Sequence, residues 1–288
     1  MWAICIVCDD PTAAPLLDFA ANIRKIAMNQ IASQFDTLPA IEAELHYLAP
    51  MAERPRNYTF EPPPGIPRSN IQPESHVVSI RNIRPVLDQV SLDREGFAVV
   101  KHHSNVQDFF NEDEVKAVYY PEAEALLKAA TGADRVFIFD TTARRRIAGA
   151  ANAPGEPRQP VLRAHVDHTA KSGPERVRFW MGAEAEELLR GRAQIINMWR
   201  PVRGPVRDTP LAVADARSIA PHDLVPSDLV YPNRVGETYS LTYNPAHRWF
   251  YLPEMQTDEV LLIKCFDSVE DGLARFAPHT AFIDPTTP

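Results

Sequence analysis

The segment Arg163-Ala164-His165-Val166-Asp167-His168-Thr169 has the residue types and spacing best suited to chemistry in this sequence. Along an extended chain, residues i and i+2 point to one side. His165 and Asp167 would then aim an imidazole and a carboxylate at one point. With one more histidine from a distant strand, such a pair makes the two-histidine, one-carboxylate face that holds non-haem Fe(II) and leaves the opposite positions open. Alone, a His-x-Asp tripeptide is a weak signal among nine histidines. Its mid-chain position, after an apolar strand and ahead of a series of strands with a histidine near the end, strengthens it. His168 falls on the other side of the strand and reads as a hydrogen-bonding neighbour of the ligands.

Three downstream histidines compete for the third position. His222 lies in a proline-flanked loop, Ala220-Pro221-His222-Asp223. His247 precedes Arg248-Trp249-Phe250-Tyr251-Leu252, an aromatic run that reads as core. His279 stands in Ala277-Pro278-His279-Thr280-Ala281-Phe282, after the apolar run Val260–Phe266, and is preferred, with His247 second. Cys5 and Cys8 have metal or redox spacing, but no second pair completes a structural zinc site. They read as apolar residues with reduced thiols.

Elements able to position these groups can be traced along the chain. Residues Pro15 to Phe35 carry apolar side chains at near-helical spacing, which predicts an amphipathic helix able to dock on the domain or pair with a second copy as a homodimer. Strands are expected at Glu42–Leu48, His76–Ile83, Phe97–Lys101 and Arg135–Asp140. A helix is expected from Glu112 to Thr131, stopped by Gly132, and another from Glu175 to Arg190. Six short strands follow, at Ala193–Trp199, Leu211–Ala214, Glu237–Tyr243, His247–Leu252, Glu259–Phe266 and His279–Ile283. That series predicts a mostly β protein with flanking helices (α+β), built on a sandwich, jelly roll or barrel. The chain divides into a helical extension, residues 1–40, and one domain, residues 41–288. Arg144-Arg145-Arg146 falls in a polar loop beside the expected site.

Bulk composition agrees. The 288 residues are 45% hydrophobic and 24% charged, as in ordinary globular domains. Proline outnumbers glycine 27 to 11, which disfavours a helical bundle and favours short strands joined by stiffened loops. A net charge of −8 argues against a nucleic-acid partner, and no apolar run is long enough for a membrane span. With three cysteines and no secretory pattern, the reading is cytoplasmic.

Several motifs in order carry a resemblance to a known family. They are His165-Val166-Asp167-His168-Thr169, Asn197-Met198-Trp199-Arg200-Pro201, the run Pro210–Ser218, His247-Arg248-Trp249, Asp258–Lys264 with Asp267-Ser268, and Pro278–Phe282. From about Ile41 to Pro285 the sequence resembles the family of the cephamycin 7α-methoxylation component, the fungal aspergillic-acid hydroxylase-like proteins and the gibberellin desaturase. The resemblance implies a double-stranded β-helix that uses Fe(II), 2-oxoglutarate and O2 to hydroxylate, desaturate or form peroxide bridges on a small molecule of secondary metabolism. It implies His165, Asp167 and His279 as the iron ligands.

Members of that family bind the far carboxylate of 2-oxoglutarate through an arginine after the distal histidine, and none follows His279 here. Arg200 and Arg275 are the expected substitutes, with Lys264 a third candidate; a guanidinium suits a carboxylate better than an ammonium does. Two other readings compete. One is a non-catalytic accessory protein on the same scaffold. The other is a zinc-dependent hydrolase or isomerase, for which His168 would be the only base adjacent to the metal.

Overall fold

The fold is described from a computed structural model, in which residues 1–9, 35–147, 149 and 158–287 are described. The helix expected at Pro15–Phe35, and the self-pairing built on it, lie outside them except for Phe35.

Strands dominate, and they form two sheets. The smaller has the order β5 (Phe97–Lys101), β13 (Glu259–Asp267), β8 (Ala193–Trp199), β1 (Trp2–Cys8) and β6 (Arg135–Thr142). The larger runs β2 (Ala40–Leu48), β4 (Pro73–Asn82), β12 (Trp249–Tyr251), β9 (Leu211–Ala214), β14 (His279–Ala281), β7 (His165–Val166), β11 (Val235–Leu241), β10 (Leu224–Val230) and β3 (Arg56–Tyr58). Each expected strand is present to within a few residues. The sequence reading placed residues 1–40 in a helical extension. The structure corrects this for Trp2–Cys8, which pairs with β8 on one side and β6 on the other. The run Trp2-Ala3-Ile4-Cys5-Ile6-Val7-Cys8 is apolar throughout because a central strand is covered on both faces.

Alternation along the strands sorts side chains between two layers of core. Leu261 and Ile263 of β13 meet Leu211 and Val213 of β9 and Phe250 of β12 between the sheets. Val260 and Leu262 turn outward with Ala3, Cys5, Ile196 and Met198, and pack under Tyr119, Ala123 and Leu127. Those last three belong to a helical segment that begins at Glu112 and continues as α1 (Tyr120–Thr131). Asn111 caps its start by accepting from the backbone N–H groups of Asp113 and Glu114, and Gly132, with φ 76°, ends it in the left-handed conformation. The second expected helix is two pieces, α2 (Ser172–Met181) and α3 (Ala185–Leu188), because the chain breaks at Gly182. No helix among the described residues is long and apolar enough to cross a membrane.

Candidate metal centre and its cavity

Register brings the histidines together. His279 of β14 is the antiparallel partner of His165 of β7, so the two side chains share a face, with ring centroids 4.6 Å apart. Asp167 lies two residues past His165 on the same side. His165 Nε2 is 3.3 Å from Asp167 Oδ1, and His279 Nε2 is 3.7 Å from Asp167 Oδ2. One donor atom from each of the three residues falls within 4.8 Å of the others.

The ring orientations suit a divalent metal. His165 Nδ1 lies 2.7 Å from the Arg163 carbonyl, and His279 Nδ1 lies 3.2 Å from the Ala277 carbonyl. A carbonyl only accepts, so each Nδ1 carries the proton and each Nε2 keeps its lone pair. His279 Nε2 is buried with no hydrogen-bond partner. Burial, together with the neighbouring His279, pulls the His165 pKa down, so its imidazole is neutral at pH 7. Burial raises the pKa of Asp167, but the two imidazoles outweigh it and hold this carboxyl well below the usual range. Two neutral imidazoles and one carboxylate converging from one side form a facial donor set for Fe(II).

Asn197 of β8 donates through Nδ2 to Asp167 Oδ2, and Cys265 Sγ of β13 lies 4.0 Å from the same oxygen. The smaller sheet thus orients a carboxylate that follows a strand of the larger one. Sequence reasoning had no role for Asn197. The available signal was a lone amide in the inward register of Ile195-Ile196-Asn197-Met198-Trp199, where every neighbour is apolar.

His168 is not among the three clustered groups. Its ring lies edge-on to Phe139 at 6.2 Å, and its buried Nδ1 has no hydrogen-bond partner. Burial is the main cause of its pKa falling to about 4; Asp167 opposes the shift, and Arg176 and Arg234 add to it. His247 is placed away from the cluster, bonded to Asp223 at 3.0 Å and stacked on Tyr47. His222 is 81% exposed.

The cluster opens into a cavity of about 1640 Å³, whose wall includes Trp2, Phe139, Trp199 and several arginines. Arg200 reaches this wall, but its Nη2 donates to the carbonyls of His102 at 3.0 Å and Thr257 at 2.5 Å. Arg275 is outside the lining and donates to the Asp267 carbonyl and to Glu270. Lys264 is fully buried between Asp93 and Asp267, each at 2.8 Å. Arg163 lines the cavity in the same strand register as His165 and Asp167. Its Nε is buried without a partner, and burial alone lowers its pKa, with no acidic neighbour to compensate.

Comparison with known proteins agrees with this chemistry. Residues 45–288 match the family model described as Oxidoreductase/YMDC permease-like domain. The Fe(II)/2-oxoglutarate-dependent dioxygenase nvfI of Aspergillus novofumigatus is 33% identical over 256 residues, covering 86% of this chain and 90% of that protein. Hydroxylase/desaturase efuI of Hormonema carpetanum is 34% identical over 234 residues, covering 74% and 77%. The solved structure of the iron and alpha-ketoglutarate-dependent endoperoxidase NvfI superposes with a TM-score of 0.78 at 30% identity, over 86% of this chain and 92% of that one. The chain belongs to this oxidoreductase family and is an Fe(II)/2-oxoglutarate-dependent dioxygenase.

Proposed function

We propose that His165, Asp167 and His279 hold the iron, and that the chain hydroxylates or desaturates a largely apolar small molecule seated in the adjoining cavity. The observation that carries this reading is the orientation of the two imidazoles. Both Nδ1–H groups are committed to backbone carbonyls, and both Nε2 atoms face Asp167. The β-rich core and the two facing sheets support a double-stranded β-helix, and the sequence motifs support the subgroup of the cephamycin and aspergillic-acid oxygenases.

Iron, 2-oxoglutarate and O2 bound together supply the oxidising power that takes hydrogen from an unactivated C–H bond. The chain's own residues position and shield. Asn197 fixes the Asp167 carboxylate through its amide. Trp2, whose ring lies 5.3 Å from that of His279, and Trp199 wall the site with apolar surface that excludes water. For the far carboxylate of 2-oxoglutarate the preferred partner is Arg163, ahead of the expected Arg200 and Arg275. It lines the cavity, its Nε is buried without a partner, and it has no carboxylate at salt-bridge distance among the described residues. A planar fork suits that role.

The test is an anaerobic titration of the Fe(II) protein with 2-oxoglutarate, followed by visible absorption. A weak metal-to-ligand band is expected in the wild type, absent in His165→Ala and His279→Ala. In Arg163→Met it should appear only at higher 2-oxoglutarate, while Arg275→Met should titrate like the wild type. A band that survives in His279→Ala overturns the assignment of the iron ligands.

A further inference from the structure

The same cavity contains a second group of bases that the iron chemistry does not use. Arg176 of α2 and Arg234, just ahead of β11, both line it, as does His168. The Arg176 guanidinium lies over two rings, 5.6 Å from the centre of Phe139 and 5.9 Å from that of Phe179. The Arg234 guanidinium lies 3.8 Å from the centre of the Tyr231 ring. Arg234 Nη1 is also 3.3 Å from the point where a Cβ on Gly236 would stand, so the missing side chain there makes room for it. Neither guanidinium has a carboxylate at salt-bridge distance among the described residues. Asp140, which acts on Arg176 from further off, also faces Arg158 and Arg144. Behind them stands the buried, unpartnered Nδ1 of His168.

The Arg234 charge acts on Arg176 and disfavours it, and an anion bound at this part of the cavity wall would relieve that repulsion. The wall beside them carries aromatic surface: Phe139 and Trp180 stack with centroids 6.0 Å apart, and Phe179 and Trp180 expose part of their rings. We propose that Arg176 and Arg234 form an anion subsite that receives a carboxylate carried by the substrate, whose apolar body lies against Phe139 and Trp180. The subsite selects acidic substrates and orients them, with the anionic end held at the Arg176–Arg234 pole and a C–H bond presented to the metal. This rests on the proposed function of the metal centre. It differs from the site assigned to the cosubstrate, because Arg163 belongs to β7's register and Arg176 to α2.

The test uses 1-naphthoate and neutral 1-naphthalenemethanol as probes. Both are titrated anaerobically into the protein loaded with Fe(II) and 2-oxoglutarate, and quenching of tryptophan fluorescence is followed. The acid should bind about tenfold more tightly than the alcohol, the scale expected of charge-assisted hydrogen bonds. Arg176→Met and Arg234→Met should each erode that preference, and together erase it, while the visible band with 2-oxoglutarate titrates unchanged. That unchanged band also shows that the variants fold. Gly236→Ala, which crowds Arg234 Nη1 without removing a charge, should weaken the preference as well. Equal affinity for acid and alcohol in the wild type, or a preference that survives in the double variant, overturns the proposal. A parallel loss of 2-oxoglutarate affinity would make these arginines part of the cosubstrate site and sink it too. Absence of the visible band in the wild type would instead count against the metal-centre reading, with the acid preference still measurable.

Discussion

Two buried polar clusters share strands β8 and β13 or their ends, and they differ in how fully their polar atoms are partnered. Around Lys264, the ammonium meets Asp93 and Asp267, and Arg192 bonds the same two carboxylates. Asp267 also accepts from the Val269 backbone N–H. Around Asp167, by contrast, His279 Nε2, Asn197 Oδ1, His168 Nδ1 and Arg163 Nε are buried with no partner. An unpartnered buried polar atom costs about 1–3 kcal/mol, so a fold keeps several side by side only where a ligand will meet them. The paired cluster suits a structural role and the unpaired one suits the proposed site.

The contrast can be broken most sharply at the ligands. His279→Ala should remove stoichiometric iron and abolish turnover while leaving the melting temperature of the metal-free protein near the wild-type value, checked by metal analysis and thermal unfolding. A large loss of metal-free stability would place His279 with the structural cluster instead. The opposite pattern is expected of Asp267→Ala, which leaves Lys264 and Arg192 to share the half-exposed Asp93. Breaking a buried pair by removing one partner costs about 3–5 kcal/mol, readable as a lower urea midpoint. Asn197→Ala lies between the two. Loss of an outer hydrogen bond to a ligand should weaken iron binding about 10- to 100-fold, measured by competition with a chelator, with the fold retained.

The smallest expected effect concerns a third ion pair, outside the cavity lining. Burial pushes Glu259 up, but hydrogen bonds from Arg84 and the Gln256 backbone overcome it and hold the carboxyl at about 2, below the ordinary 4.5. A depressed carboxyl stabilises the fold fully above pH 4.5, and that contribution is lost as pH falls from 4.5 towards 2. Glu259→Gln should flatten the acid limb of a plot of urea midpoint against pH. An unchanged limb would mean that the pair does not set acid stability.

Much of the scaffold was legible locally. Alternation in Ala40–Leu48 marks a strand because each side of a pleat meets a different environment, whereas Ala193–Trp199 and Glu259–Asp267, buried on both faces, are marked by apolar runs between turn residues. Trp2–Cys8 is likewise apolar on both faces and shows no alternation, and its place between β8 and β6 follows from pairing with distant strands. Cations were harder still. Arg200, Arg275 and Lys264 have the right charge for a carboxylate, yet each is held by carbonyls or carboxylates of the fold itself.

By itself the sequence determined the chemistry on offer: a His-x-Asp pair in an extended segment, a later histidine, and strands enough to carry them. These follow from spacing of two residues and from side-chain type, both local properties. Only the tertiary structure decided which histidine comes third, because that depends on β14 lying beside β7 with His279 opposite His165. It also decided which polar groups remain without partners. Whether Asn197, Arg163 or His168 is satisfied depends on atoms far away in the chain, and that accounting exists only once the sheets have closed on each other.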